Sequence, residues 1–209
     1  MDAPPRAAAV RRLVFGLGNP GPKYEATRHN VGFRVVEHLA RREGLLFEPP
    51  SSLEGYAGPR AFQYARCFAP SALLVEPLTF MNRSGEAVAP LVAWAGVDAE
   101  DVLVVYDDLD LDVARLRIRP HGGHGGQNGM RSILSSLGPD RFPRLRVGIG
   151  KAPTDAARHV LSPFSPDEES LIEVAVAEAA DAIFDWLQTG DIEGCMTRYH
   201  SRWNEGRGS

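Results

Sequence analysis

Nowhere does the 209-residue sequence run apolar for the ~20 residues that a helical membrane span needs. The opening stretch, MDAPPRAAAVRR, lacks the h-region of a secretory signal. Cysteine is scarce. Cys67 and Cys195 lie far apart and outside any metal-ligand spacing, which excludes a disulfide scaffold and fits reduced thiols in a cytosolic-type compartment. The six histidines form neither HExxH nor a His/Cys cluster, so no zinc site is expected. There is no G-x-S-x-G either, which removes the commonest serine-nucleophile arrangement.

What is there is ordinary globular material: 44% hydrophobic and 24% charged residues, enough chain for one full core. The net charge of −4 argues against a nucleic-acid partner until its distribution is read. Residues 1–159 carry 20 Lys and Arg against 17 Asp and Glu, whereas residues 160–209 carry 3 against 10. The acid is concentrated at the C-terminal end, leaving the remainder free to present a local basic patch.

Strand and helix patterns alternate. Residues 12–18 read as a buried strand and 30–42 as an amphipathic helix closed by Gly44. Strands follow at 62–68 and 72–75, then a helix over 86–95 capped by Ser84. Next come a β-branched strand at 102–106, an alternating strand at 114–119, and the loop HGGHGGQNG. A helix over 128–137, a strand over 145–149, and helices over 166–188 and 192–201 complete the chain. The class is α/β: a single domain with a twisted mixed, mostly parallel sheet flanked by helices.

The chain is organised around LVFGLGNPGPKYEATRHNVG, residues 13–32, a strand with a Gly/Pro turn at its end. G-L-G-N-P-G matches the dinucleotide fingerprint, but poorly. Pro20 has no N–H to donate to a pyrophosphate, and the next helix starts some nine residues later. His29 sits just before that helix, where a sheet edge presents side chains to ligands. As a general base it needs an orienting carboxylate. Asp107 ends the strand VLVVY at the matching edge, with Asp108, Asp110 and Asp112 as rivals. The cluster DDLDLD could instead hold a divalent cation or form a solvated loop. Asn19, Asn82 and Asn128 each stand at a strand-to-helix junction, where amides can position a water and stabilise an oxyanion, or merely form turns and caps.

GLGNPGPKYEATRHNVG, EPLTFMNRSGEAV, VYDDLDL, GGHGGQNGMRSI and FPRLRVGIG occur together in an order that resembles bacterial-type peptidyl-tRNA hydrolases, over residues 13–200. The resemblance implies one catalytic domain over 12–201 between flexible tails at 1–11 and 202–209. It implies hydrolysis of the ester joining a peptide to the 3′-terminal ribose of tRNA. His29 would be the catalytic base, Asp107 its orienting partner, and Asn19, Asn82 and Asn128 the substrate-positioning amides. Tyr24, Phe80 and Met81 would line the peptide groove. Arg117, Arg119 and Arg146 would contact tRNA phosphate. No metal, cofactor or membrane is implied; the enzyme would be a cytoplasmic monomer whose partner is peptidyl-tRNA. A non-catalytic RNA-binding relative of the splicing-factor type is the alternative. Two residues depart from the usual pattern: Gln127, where the family commonly has His, and Glu76, where Lys is frequent.

Overall fold

The computed structural model describes residues 10–138, 141–152 and 154–201, with 200 and 201 as backbone only. The strands are β1 (Arg12–Gly16), β2 (Phe47–Glu48), β3 (Phe62–Phe68), β4 (Ser71–Pro77), β5 (Val102–Asp108), β6 (Leu116–Arg119) and β7 (Arg144–Gly148). The helices are α1 (Val31–Arg42), α2 (Gly85–Ala95), α3 (Asn128–Leu137), α4 (Ala156–Val160), α5 (Pro166–Thr189) and α6 (Ile192–Ser201). One seven-stranded sheet runs in the order β2-β3-β4-β1-β5-β7-β6. Its four central strands are parallel and its outer pairings antiparallel. All four parallel strands therefore end at one edge, with β1 in the middle.

The central strands are buried on both faces, which is why their sequences do not alternate. One core lies between the sheet and α1, α5 and α6, through Val35, Leu39, Ile183 and Trp186. The other lies under α2 and α3, through Val88, Leu91, Met130 and Ile133. Gly32 decides how closely α1 approaches β1. A Cβ there would stand 2.5 Å from the Leu17 nitrogen and 2.5 Å from the Val105 oxygen, so only glycine lets the helix head rest on the sheet edge. That approach brings the preceding residue pair, His29 and Asn30, down onto the ends of β1 and β5.

Several boundaries differ from the sequence expectation. Arg28–Asn30 form a 3-10 turn, so the first helix starts at Val31 and His29 lies ahead of it. Ser84 does not cap α2. Its own backbone is helical, and its hydroxyl donates to the Met81 carbonyl at 2.9 Å, because a 3-10 turn, Met81–Arg83, already leads into the helix. The strand expected from 114 begins only at Leu116, since Ala114 adopts a left-handed φ of 67°. Of the expected tails, 1–9 and 202–209 lie outside the described residues. Val10 is buried, and Arg11 donates its N–H to Ser71 O at 2.9 Å, so both are bound to the domain.

Candidate active site

Asp107 lies at the C-terminal end of β5, two residues beyond the point where Gly16 of β1 pairs with Val105. The 3-10 turn delivers His29 to the same edge. His29 Nδ1 and Asp107 Oδ2 are 2.8 Å apart, and both residues are more than nine-tenths buried. A carboxylate on Nδ1 selects one tautomer and leaves Nε2 as the nitrogen able to accept a proton. Of the rival acids, Asp108 is ion-paired with Arg146 and accepts the Asp110 N–H at 2.9 Å, while Asp110 and Asp112 are exposed. Among the described residues no acidic or histidine group is arranged to hold a metal ion.

The turn bearing His29 is fixed from behind. Arg28 grips Glu168 of α5 with both terminal nitrogens, at 3.0 and 2.6 Å, and donates to the Ile149 carbonyl at 3.0 Å. Its backbone N–H reaches Ser162 O at 3.0 Å, beside a Thr27–Pro163 bridge. The Arg28 guanidinium holds the Glu168 carboxyl down to about 2. From the front, Asn30 binds the Gly/Pro turn. Its Oδ1 accepts the Asn19 N–H at 2.8 Å and its Nδ2 donates to Asn19 O at 2.9 Å.

His29, Asp107 and Asn128 line one cavity of about 370 Å³, together with Tyr106, Arg146 and α4 residues Ala156 and Val160. Asn128 is exposed and its Oδ1 accepts from Arg131 at 2.8 Å, so the donor this side chain can offer a ligand is its amide NH₂. Asn19 is in an adjoining place: it lines a second cavity, of about 390 Å³, and its Oδ1 accepts the Met81 N–H at 2.8 Å. Asn82 is exposed, directly after Met81. Tyr24 and Phe80 meet edge-to-face at 6.3 Å between ring centres, with Phe80 half exposed. Arg146 borders the first cavity; Arg117 and Arg119 lie outside it, on edge strand β6, with Arg117 opposite Arg146.

Residues 154–164, which the sequence marks only by Pro and Ser, contain α4, capped by the Asp155 side chain. Sequence reasoning missed a contact that closes a ring around the site. Gln127 donates to Asp107 Oδ1 at 3.0 Å and touches Met81 Sδ at 3.1 Å. Asn30, Asn19, Met81, Gln127, Asp107 and His29 are thereby joined in sequence or by contact. No local pattern announces that contact; the only signal is a long amide at a helix start facing the sheet edge.

Comparison with known proteins gives concordant results. The sequence matches the family model described as peptidyl-tRNA hydrolase over residues 13–206. A peptidyl-tRNA hydrolase of Syntrophomonas wolfei is 46% identical over 189 residues, covering 90% of this chain and 100% of that protein. One of Chloroflexus aurantiacus is 46% identical over 191 residues, covering 90% and 98%. The crystal structure of peptidyl-tRNA hydrolase from Acinetobacter baumannii has a TM-score of 0.80 at 34% identity, covering 92% of this chain and 95% of that one.

Proposed function

The chain belongs to the peptidyl-tRNA hydrolase family and is an enzyme that hydrolyses peptidyl-tRNA; from that premise we propose that His29, oriented by Asp107, is its general base. The observation that carries the proposal is the 2.8 Å contact between His29 Nδ1 and Asp107 at the wall of the cavity. Nε2 takes a proton from a water, and the water oxygen attacks the ester carbonyl. The tetrahedral oxyanion is met by the amide NH₂ of Asn128. Collapse expels the ribose 3′-oxygen, which recovers the proton from the imidazolium, so histidine and carboxylate end as they began. Asp107 stabilises the imidazolium without taking its proton. Asn19 holds the Met81 backbone, and Asn82 follows it; both act as substrate-positioning groups along the rim.

The edge-to-face pair of Tyr24 and Phe80, next to Met81, supports an apolar wall for the peptide. Arg146 at the cavity and Arg117 and Arg119 beyond it support a track for tRNA phosphate, whose contacts give affinity without sequence preference. A single chain carries every group this scheme uses, which supports action as a monomer. Peptidyl-tRNA arises at ribosomes, which supports a cytoplasmic location, and among the described residues no helix is long and apolar enough to cross a membrane.

The test is His29→Ala assayed with an N-blocked aminoacyl-tRNA. A positioned base contributes about 10²–10⁴-fold, so kcat is expected to fall by that range while the variant stays folded at the assay temperature and tRNA affinity stays at the parent value. A variant turning over within tenfold of the parent removes His29 from the role.

A further inference from the structure

Asp107 is 3% exposed, and a buried carboxylate requires donors on both oxygens. His29 supplies one, at Oδ2. The other comes from Gln127, at Oδ1. The orientation of that amide is fixed by chemistry rather than by assignment. Its Oε1 lies 2.7 Å from the Met130 nitrogen, and a backbone N–H can only donate, so the atom facing it must be the oxygen. The NH₂ group is then obliged to point at Asp107 and Met81. The start of α3, by being capped, aims a donor at the carboxylate on β5.

We infer that Gln127 is a positioning residue of the hydrolytic site. It clamps Asp107 so that Oδ2 faces His29, and, being an amide, it does so with a donor that no proton can switch on or off. The inference rests on the reading of His29 as base but predicts a property of the imidazole itself. With Gln127 in place the carboxylate charge is shared between two donors. Withdrawing the amide donor concentrates that charge on the imidazole and favours its protonated form. The other ionisable groups facing the cavity are Tyr106, His124, and Asp108 with its partner Arg146. None of them is bonded to Asp107 among the described residues.

The experiment compares the parent with Gln127→Met, which keeps the length of the side chain, adds no charge beside Asp107 and cannot donate to it. The Met130 N–H it leaves uncapped costs some stability, and loss of a cap alone does not alter the charge on Asp107. Two readouts are taken: the NMR titration of the His29 ring, assigned with His29→Ala, and the pH profile of kcat/KM. Both the His29 midpoint and the acid limb of the profile are expected to move to higher pH. At neutral pH kcat falls at least tenfold, with KM within twofold of the parent. Should Gln127→Met fail to fold, Gln127→Ala is titrated instead, and an upward midpoint is again expected. An unchanged His29 midpoint in the folded variant overturns the inference and leaves Gln127 as a cap alone. Failure of the base assignment has a different signature: the midpoint moves, yet His29→Ala remains active.

Discussion

Glu76 is the most unusual side chain away from the reacting groups. It is the last residue but one of β4, in the buried stretch 72–77, and is itself 1% exposed. Gln63 on β3 donates to it at 2.5 Å, and burial pushes its carboxyl up to about 8, with the nearby Glu37 acting in the same direction. Between the ordinary value of 4.5 and about 8 the folded protein holds a proton that the unfolded chain has released. Stability therefore falls as pH rises through that window, by on the order of a few kcal/mol. Glu76→Gln keeps the volume and the contact with Gln63 but cannot ionise. Its Tm is expected to exceed the parent's by several degrees at pH 8.5 and to converge with it near pH 4.5. Parallel melting curves across that range check this, and curves that stay parallel would show that Glu76 is not the group responsible. At this scale the sequence was informative about types and silent about pairs. His29 and Asp107 were legible because each stands where a strand edge meets a turn. Gln127 was noticed only as a departure, because its bond to Asp107 joins positions that the sheet, not the chain, makes neighbours.

Among elements, the contact that matters most for the site joins the turn before α1 to the start of α5. Ser165 and Glu168 form a capping box there, and the same Glu168 carboxylate takes Arg28 bidentately. Arg28 adjoins His29, so the N-terminus of α5 is coupled to the proposed base. Glu168→Gln separates the two functions, since glutamine can still serve the capping box while losing the ion pair. A part-buried charge-assisted pair is worth about 1–3 kcal/mol. The parent's carboxyl is held at about 2, so this contribution is complete above the unfolded value of 4.5 and is lost as pH falls through 2. The variant should thus melt several degrees lower at pH 7, with the gap closing in acid, and should lose kcat/KM severalfold at pH 7. A gap that widens in acid would contradict the assignment. Elements with their own periodicity, such as β5 and α5, were legible from sequence. β2 was not: at two residues, Phe47 and Glu48, it exists only because β3 offers an edge at Ala65 and Tyr64. α4 was not legible either, being a single short turn of helix without an apolar face of its own length.

At the scale of the whole molecule, the β6–β7 end of the sheet turns apolar side chains to one face and arginines to the other. In β6 and β7, Leu116, Ile118, Leu145 and Val147 point into the core under α5 and α6. Alternation sends Arg117, Arg119, Arg144 and Arg146 to the other face, with Arg117 opposite Arg146 and Arg119 opposite Arg144. Arg144 is buried and bonds the carbonyls of Gly122, Gly123 and Phe142, fixing the glycine-rich loop. Arg146 is engaged by Asp108. Arg117 and Arg119 continue the row from the cavity to the sheet edge, while most of the C-terminal acid sits on α5 and α6 across the sheet. A polyanion approaching such a molecule is drawn to the arginine face even though the net charge is −4. The double variant Arg117→Ala, Arg119→Ala removes two cations without touching the His29 cavity. KM for peptidyl-tRNA should rise roughly tenfold with kcat within about threefold of the parent. The slope of log affinity against log salt should become shallower by about 1–2, the amount two lost phosphate contacts would remove. Measuring KM at four or five salt concentrations decides the matter. If the slope is that of the parent, the tRNA backbone crosses another face, and the arginine row on β6 is only a solvated strand edge.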